Sequence, residues 1–433
     1  VKSIPGIVFL IVGILVSVGL HEIGHLVPAK KFGAKVSQYF IGFGPTLWSK
    51  VVGGTEYGIK AIPLGGFVRI AGMVAPGRPE RVQVNRRGQL TVAEETRRAS
   101  AQELDPGEED QAFWRLTPGK RLIVMAGGPL MNLLIAAVLL AIVYSGIGVT
   151  TASTRIATVT RCVSTVDVCE QSDPQAPAFV AGLVPGDVIL TWGGHTMTSW
   201  NDIQQTIAAG GTSPTLVDVE RDGAQVNLTI TPVLTPRPVV GSDGRPVLDD
   251  DGQPVVEDRP YVGIGPAYDL VRRPVTEVPG QLWQASVGTA QIITKLPVNL
   301  WHTASSLVTG EQRSDDGVVG IVGVADLAGN ITGSEIPEYG VMARLGDLLL
   351  LIASLNISLF IFNLIPLLPL DGGHIVAALY EWGRKKVAAV AGKPDPGPVD
   401  TARLMPLSYV VALAFIGMTV LLVVADIDRK SVV

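Results

Sequence analysis

Residues Val16–Lys31 read VSVGLHEIGHLVPAKK, and they place two histidines and a glutamate at the end of an almost uninterrupted apolar run. That run, Ile4–Val27, is long enough as a helix to cross a hydrocarbon core of about 30 Å, which takes about 20 residues. An Asp at mid-bilayer costs about 2.5–3.5 kcal/mol even on the lenient insertion scale, so ionisable groups rarely lie within a span without a function. His21-Glu22-Ile23-Gly24-His25 has the form H-E-x-x-H. On a helix, positions i and i+4 share a face, so both imidazoles can hold one metal, with Glu22 beside it to meet a water. The bland alternative, a histidine pair satisfied by interhelical hydrogen bonds, leaves the glutamate unexplained.

Three further apolar runs, Leu122–Val149, Leu348–Leu370 and Leu407–Ala425, have the same capacity to span. The expected fold class is therefore an α-helical polytopic membrane protein with four transmembrane helices. Of the 433 residues 47% are hydrophobic and only 17% charged, and the apolar ones cluster in these runs. A cleaved signal peptide is the alternative for the first run. Against it, the run exceeds a typical h-region, no small-x-small site follows, and the main basic flank (Lys30, Lys31, Lys35) lies on its C-terminal side. Basic flanks also set orientation. Those lysines, with Arg115, Lys120 and Arg121 before the second run and Arg384, Lys385, Lys386 and Arg403 before the fourth, favour cytoplasmic placement of residues 28–121 and 381–406. Thr150–Gly346, with twice as many acids as Lys plus Arg, and both termini are then extracytoplasmic. The partner implied is the lipid bilayer of the cell membrane; a net charge of −5 suggests no nucleic acid.

The chain divides into transmembrane helix 1 with HEIGH (1–27), a cytoplasmic region (28–121), helix 2 (122–149), a compact domain (155–236), an extracytoplasmic insert with amphipathic helices (237–346), helix 3 with LDGG (347–380) and helix 4 (405–426). Within the cytoplasmic region, aromatic and β-branched residues punctuated by glycine predict short strands over 38–73, whereas the polar stretch 75–110 reads as a solvated loop. Cys162 and Cys169 lie in the oxidising compartment and predict a disulfide, with two free thiols as the alternative. Asp-Gly pairs at Asp243 and Asp251 predict a β-ribbon or mobile insert, and Glu277–Val308 has amphipathic helical spacing.

A catalytic zinc needs a third protein ligand and an open position for water. NISLFIFNLIPLLPLDGGH, Asn356–His374, supplies Asp371. At ~1.5 Å per residue, His21 and Pro366 both lie ~25–27 Å into their spans, so the two motifs are level. Pro366 and Pro369 disrupt a helix, and Gly372 and Gly373 permit a sharp turn. Irregular backbone survives at that depth only when buried or lining a wet cavity. The alternative is an ordinary helix end with a capping Asp. His374 reads as an interfacial histidine, the alternative being a group that supports the metal ligands from behind.

HEIGH in a first transmembrane helix with N-x-x-P-x-x-P-L-D-G-G in a third resembles the site-2 protease family of intramembrane zinc metalloproteases. AGGPLMN (Ala126–Asn132) looks like its G-P-x-x-N stretch. GFG (Gly42, Phe43, Gly44) and PLGGFVRIAGM (Pro63–Met73, with Gly65 and Gly66) look like its cytoplasmic membrane-re-entrant β-hairpin. Pro177–Ile203 looks like one extracytoplasmic α+β PDZ domain, with Gly182 and Leu183 in the expected ligand loop, so the chain is similar to bacterial single-PDZ, actinobacterial-type members. The resemblance implies that His21, His25 and Asp371 hold Zn2+, that Glu22 is the general base and that Asn363 holds substrate backbone. It further implies substrate contacts at Asn132, at the hairpin residues and at the PDZ loop. The implied substrates are single-pass transmembrane proteins already trimmed outside, such as anti-sigma factors, and signal-peptide remnants. Two rivals, a membrane-anchored PDZ adaptor with an inert metal site and a transporter with an ion relay, have no need of a base beside the ligands.

Overall fold

Peptide groups in hydrocarbon have no water to bond, so a crossing segment must satisfy them internally, and a helix does so within one segment. The computed structural model describes residues 3–76, 84, 88–163, 169, 173–239, 255–309, 320–333 and 340–431. Helix α1 (Ile4–Lys31) leads into strands β1 (Val36–Val52) and β2 (Thr55–Ile70), then α2 (Val92–Gln102) and α3 (Pro118–Ala141), which continues through one wider turn to Ile147. Next come β3 (Val149–Val159), α4 (Pro177–Val180), β4 (Val188–Trp192), β5 (His195–Thr196), α5 (Trp200–Gly210), β6 (Thr215–Arg221), β7 (Ala224–Ile230), β8 (Val233–Pro238), β9 (Val256–Tyr261) and β10 (Ile264–Val271). Helices α6 (Val278–Thr309), α7 (Ile321–Gly333), α8 (Val341–Asn363), α9 (Asp371–Val390) and α10 (Met405–Ser431) follow.

Four helical segments, Ile4–Lys31, Pro118–Ile147, Val341–Asn363 and Thr401–Asp426, are long and apolar enough to cross a membrane. Their outer faces carry Val8, Val12, Leu134, Val138, Leu413 and Ile416, all exposed, which suits lipid rather than water. Inside the bundle, α1 and α3 meet at small residues. A Cβ built on Gly24 falls 2.3 Å from the Gly127 carbonyl oxygen, and one built on Gly127 falls 2.0 Å from that of Gly24. Only glycine at both positions allows this approach. Helices α1 and α8 are tied by a buried hydrogen bond of 2.9 Å from the Asn356 amide to Ser17 Oγ.

Strands β1 and β2 are folded back on each other. The first part of β1 is flanked on both sides: Tyr39 opposes Val68 and Tyr57, and Phe40 opposes Phe67 and Gly58. Its second part pairs Trp48 with Ile59 and Val51 with Glu56. The spatial order is thus Gly66–Ile70, Val36–Ile41, Glu56–Lys60, Trp48–Val51, and Gly66–Ile70 is an edge with no further strand beside it among the described residues. Gly42 and Gly44, at φ +91° and +85°, make the bend.

Between α3 and α6 the strands form a six-stranded antiparallel sheet in the order β10-β3-β4-β6-β7, with β5 on β4, and β8 and β9 make a separate ribbon. Apolar residues of the sheet, including Ile189, Trp192, Val217 and Val219, pack with Ile203 of α5 into one core. Helix α5 starts at a reciprocal cap between Ser199 and Asp202. Cys162 and Cys169 are disulfide-bonded. The Asp-Gly stretch over 243–254 lies outside the described residues.

Two expectations need correction. The stretch 75–110 is not wholly a solvated loop, because 92–102 form α2. Its charge disguised an amphipathic helix: Thr91 accepts the Glu94 N–H at 3.4 Å, and Ala93, Arg97 and Ser100 are buried at helical spacing. Buried Arg97 is neutralised by Glu94 at 3.0 Å and by Asp400 at 2.6 Å. The helical part of the third span also ends earlier than Leu370. It stops at Asn363 and a new helix begins at Asp371, because Pro366 and Pro369 cannot donate within a continuing helix.

In the sheet unit Asp187 is fully buried and held by Arg221 through two 2.7 Å bonds, while Arg221 also bonds the Gly182 carbonyl at 2.8 Å. Burial pushes the Asp187 carboxyl up, but the Arg221 guanidinium and the Val184 N–H outweigh burial and hold it below the usual carboxylate range. A depressed carboxylate stabilises the fold above its unfolded pKa of about 3.9, and this contribution is lost as pH falls through the folded value. Arg221→Ala leaves the carboxylate buried and unpaired, so amide protection in β4 and β6 at pH 7 is expected to fall by about 3 kcal/mol. That deficit should shrink as pH falls, closing once pH drops through the depressed folded value of Asp187 and the carboxylate is protonated in both proteins. Equal protection of the two proteins at pH 7 would refute the assignment.

Candidate active site

The geometry starts from the helical repeat. His21 and His25 lie one turn apart on α1, with their Nε2 atoms 3.3 Å from each other. Asp371 Oδ2 lies 3.4 Å from each of them. Among the described residues these three are the group of His, Cys, Asp and Glu side chains close enough to share an ion. The zinc test is direct. Four ligands at the usual Zn–N and Zn–O lengths of about 2.0–2.2 Å in a tetrahedron are about 3.3–3.6 Å apart, and the three edges here fall in that range. The His25 ring is turned by its Nδ1–H, which donates to the Val124 carbonyl at 2.8 Å and leaves Nε2 free to ligate. The donor set, two imidazoles and one carboxylate, is that of a catalytic zinc with a position left for water.

Each donor is set by a local feature. Helix α3 reaches the histidines through Gly128, where a Cβ would fall 2.2 Å from His25 Nε2 and 2.7 Å from His21 Cε1. Asp371 opens α9 after the 364–370 turn, which is closed by bonds such as Leu370 N–H to Leu367 O at 2.9 Å. Gly372 abuts the Ile365 carbonyl, 2.2 Å from where a Cβ would be, so the new helix can start against the end of the old one. A carboxylate in the first turn of a helix is also favoured by its dipole.

A cavity of about 370 Å³ opens onto the three donors, and Glu22, Phe67, Val68, Met125 and Pro369 are among its walls. Gly66 on the edge of β2 stands close to Glu22, with a built Cβ 3.6 Å from its Cγ. The GFG stretch reaches the same wall indirectly, as the Phe43 ring stacks 6.1 Å from that of Phe67, over Gly65. His374 also lines the cavity rather than standing at an outer interface.

The other expected residues are more dispersed. Asn132 lies on the α3 face shared by Met125 and Gly128, is 1% exposed, and among the described residues neither its amide nitrogen nor its oxygen has a hydrogen-bond partner. Asn363 is the half-buried last residue of α8 and is not among the cavity walls. Gly182 and Leu183 belong to the sheet unit. Their N–H groups donate to Phe179 O at 3.1 Å and Ala178 O at 3.0 Å, and the Leu183 side chain is in the core. Sequence reasoning passed over Gly24, Gly127, Gly128 and the Val124 carbonyl; the Gly-Gly pair in AGGPLMN was the available signal.

Comparison with known proteins agrees with this geometry. Residues 9–393 match the model of peptidase family M50. The chain is 32% identical over 431 residues to the zinc metalloprotease Rip1 of Mycobacterium tuberculosis, covering 98% of this chain and 97% of that one. It is 29% identical over 397 residues to the metalloprotease MmpA of Caulobacter vibrioides, covering 88% and 85%. It is 28% identical over 425 residues to the zinc metalloprotease RasP of Bacillus licheniformis, covering 86% and 88%. A match over most of the length, with a donor set suited to zinc on apolar helices, makes this chain a membrane zinc metalloprotease belonging to peptidase family M50, the site-2 protease family.

Proposed function

We propose that the chain hydrolyses peptide bonds within transmembrane segments of single-pass membrane proteins that have already been trimmed outside, anti-sigma factors and signal-peptide remnants being the classes in view. The observation that carries this reading is the convergence of His21, His25 and Asp371 beside Glu22, near the far end of an apolar helix, in a cavity walled by a strand edge. The basic flanks of the spans support a site near the cytoplasmic side, with both termini and the sheet unit outside.

When bound, zinc acidifies a water and polarises the scissile carbonyl. Glu22 is the group positioned to accept a proton from that water and to return it to the departing amine. His21, His25 and Asp371 hold the centre, and the Val124 carbonyl fixes the His25 ring. A substrate helix must unwind before hydrolysis because its peptide groups are already bonded to each other. The Gly66–Ile70 edge offers replacement main-chain partners beside Glu22 by strand addition. This supports reading the folded-back strands as the re-entrant hairpin. The amide of Asn132, without a partner among the described residues, supports a contact with substrate backbone, and Asn363, ahead of the 364–370 turn, is assigned the same task. The sheet unit is read as the single PDZ domain of an actinobacterial-type member, acting by binding a newly cut C-terminus or as a filter against bulky outer domains.

Three outcomes test this. Glu22→Gln keeps one zinc per chain by elemental analysis but lowers cleavage of a model transmembrane substrate in detergent by a factor of about 10²–10⁴; undiminished cleavage would end the base assignment. His21→Ala loses the zinc, and retention at full stoichiometry removes His21 from the ligand set. Asn132→Leu, which removes an unsatisfied buried amide, leaves thermal stability unchanged or raises it by about 1 kcal/mol while lowering kcat/KM at least about tenfold. A destabilised variant with normal kcat/KM would mean that the amide serves the fold instead.

A further inference from the structure

Glu103 follows directly on α2, far in sequence from the zinc-site motifs, yet its side chain lines the same cavity as His21, Glu22 and Asp371. It is half-buried, and Arg69 lines the same cavity. Its carboxylate is met by the Gly72 N–H, and exposed Arg69 is the nearby cation. Burial raises this carboxyl above its ordinary value despite both. A second cation brought to it would therefore find an acceptor that is poorly solvated and only partly satisfied.

The position is held rigidly. Ser100 Oγ accepts the Val74 N–H at 3.1 Å, Arg97 pairs with Asp400 at 2.6 Å, and the turn at Gly72 abuts Ala112. The edge of β2 runs from Gly66, beside Glu22, to Ile70, and Ala71 N–H then bonds Lys35 O at 2.9 Å at the basic end of α1. At about 3.3 Å per residue, Gly72 lies at most about 13 Å along the chain from Val68. A substrate strand laid on this edge would bring residues two to four positions from the cut opposite Glu103. Single-pass proteins carry their excess Lys and Arg at the cytoplasmic end of the span, the end toward which this edge runs if the orientation above holds.

We infer that Glu103 is a specificity-determining residue, receiving a Lys or Arg side chain of the substrate two to four residues to the cytoplasmic side of the scissile bond. This deepens the intramembrane-protease reading and rests on it. The test uses the full chain in detergent and a single-pass model substrate whose cut site is first mapped by mass spectrometry. Lys, Ala or Glu is then placed at each of the three positions. The unmodified protein is expected to favour Lys over Glu at one of them by about tenfold in kcat/KM, a charge-assisted contact expressed mainly in KM. Glu103→Gln should abolish that preference and Glu103→Lys reverse it, with zinc content unchanged. Indifference of the unmodified protein to all nine substrates, or a Lys preference that survives in Glu103→Gln, overturns the inference while leaving the protease reading intact. Failure of the zinc-loaded unmodified protein to cut any of them overturns both.

Discussion

Helices α1 and α3 touch backbone to backbone at Gly24 and Gly127, and the geometry of the candidate metal site depends on that contact. A methyl group at either position would lie 2.3 or 2.0 Å from the opposing carbonyl oxygen. The next residue, Gly128, is set against both imidazoles, and Val124 one turn earlier turns the His25 ring through a 2.8 Å bond. In lipid there is little hydrophobic gain from pairing two apolar helices, so close packing and backbone approach carry the association. The small residues that let these helices associate are thus the ones that orient the two histidines.

The second constraint is the break between α8 and α9. A continuous helix through Asp371 would carry the carboxylate onward along the α8 axis. Two prolines and the 364–370 turn redirect the chain, and a new helix begins with Asp371 in its first turn. Loss of regular hydrogen bonding at this depth is tolerable because the turn replaces several of the bonds and borders the cavity. Buried Asn356, bonded to Ser17 one turn before His21, keeps the helix before the break in register with α1.

How far the sequence disclosed this depends on the range of the physics involved. The convergence of HEIGH and LDGG was readable because the residue types, their spacing and their apolar setting are local properties. The four spans were readable for the same reason. Helix α2 was not, since its buried face includes Arg97, whose burial makes sense only once Asp400 is beside it. The role of the Gly-Gly pair in AGGPLMN was equally hidden, because a glycine states what is absent and not which neighbour fills the space. The edge at Gly66–Ile70 arises from β1 bending at Gly42 and Gly44 so that it is flanked twice, a pairing that alternation alone does not specify. That the Gly182 and Leu183 N–H groups bond back to the end of α4 was likewise hidden, because sequence position does not reveal local hydrogen bonding.

The Arg97–Asp400 pair joins residues 303 positions apart. At the usual 5–20 residues per second of synthesis, Asp400 is made roughly 15–60 s after Arg97. Throughout that interval α2 lacks the partner that neutralises its buried guanidinium and the Ala402 surface on which Ala93 and Val74 pack. The wall of the cavity that includes residue 103 is therefore completed only after Asp400 and Ala402 have been made, so the ribosome's own pace leaves that wall open until His21, His25 and Asp371 are all in place.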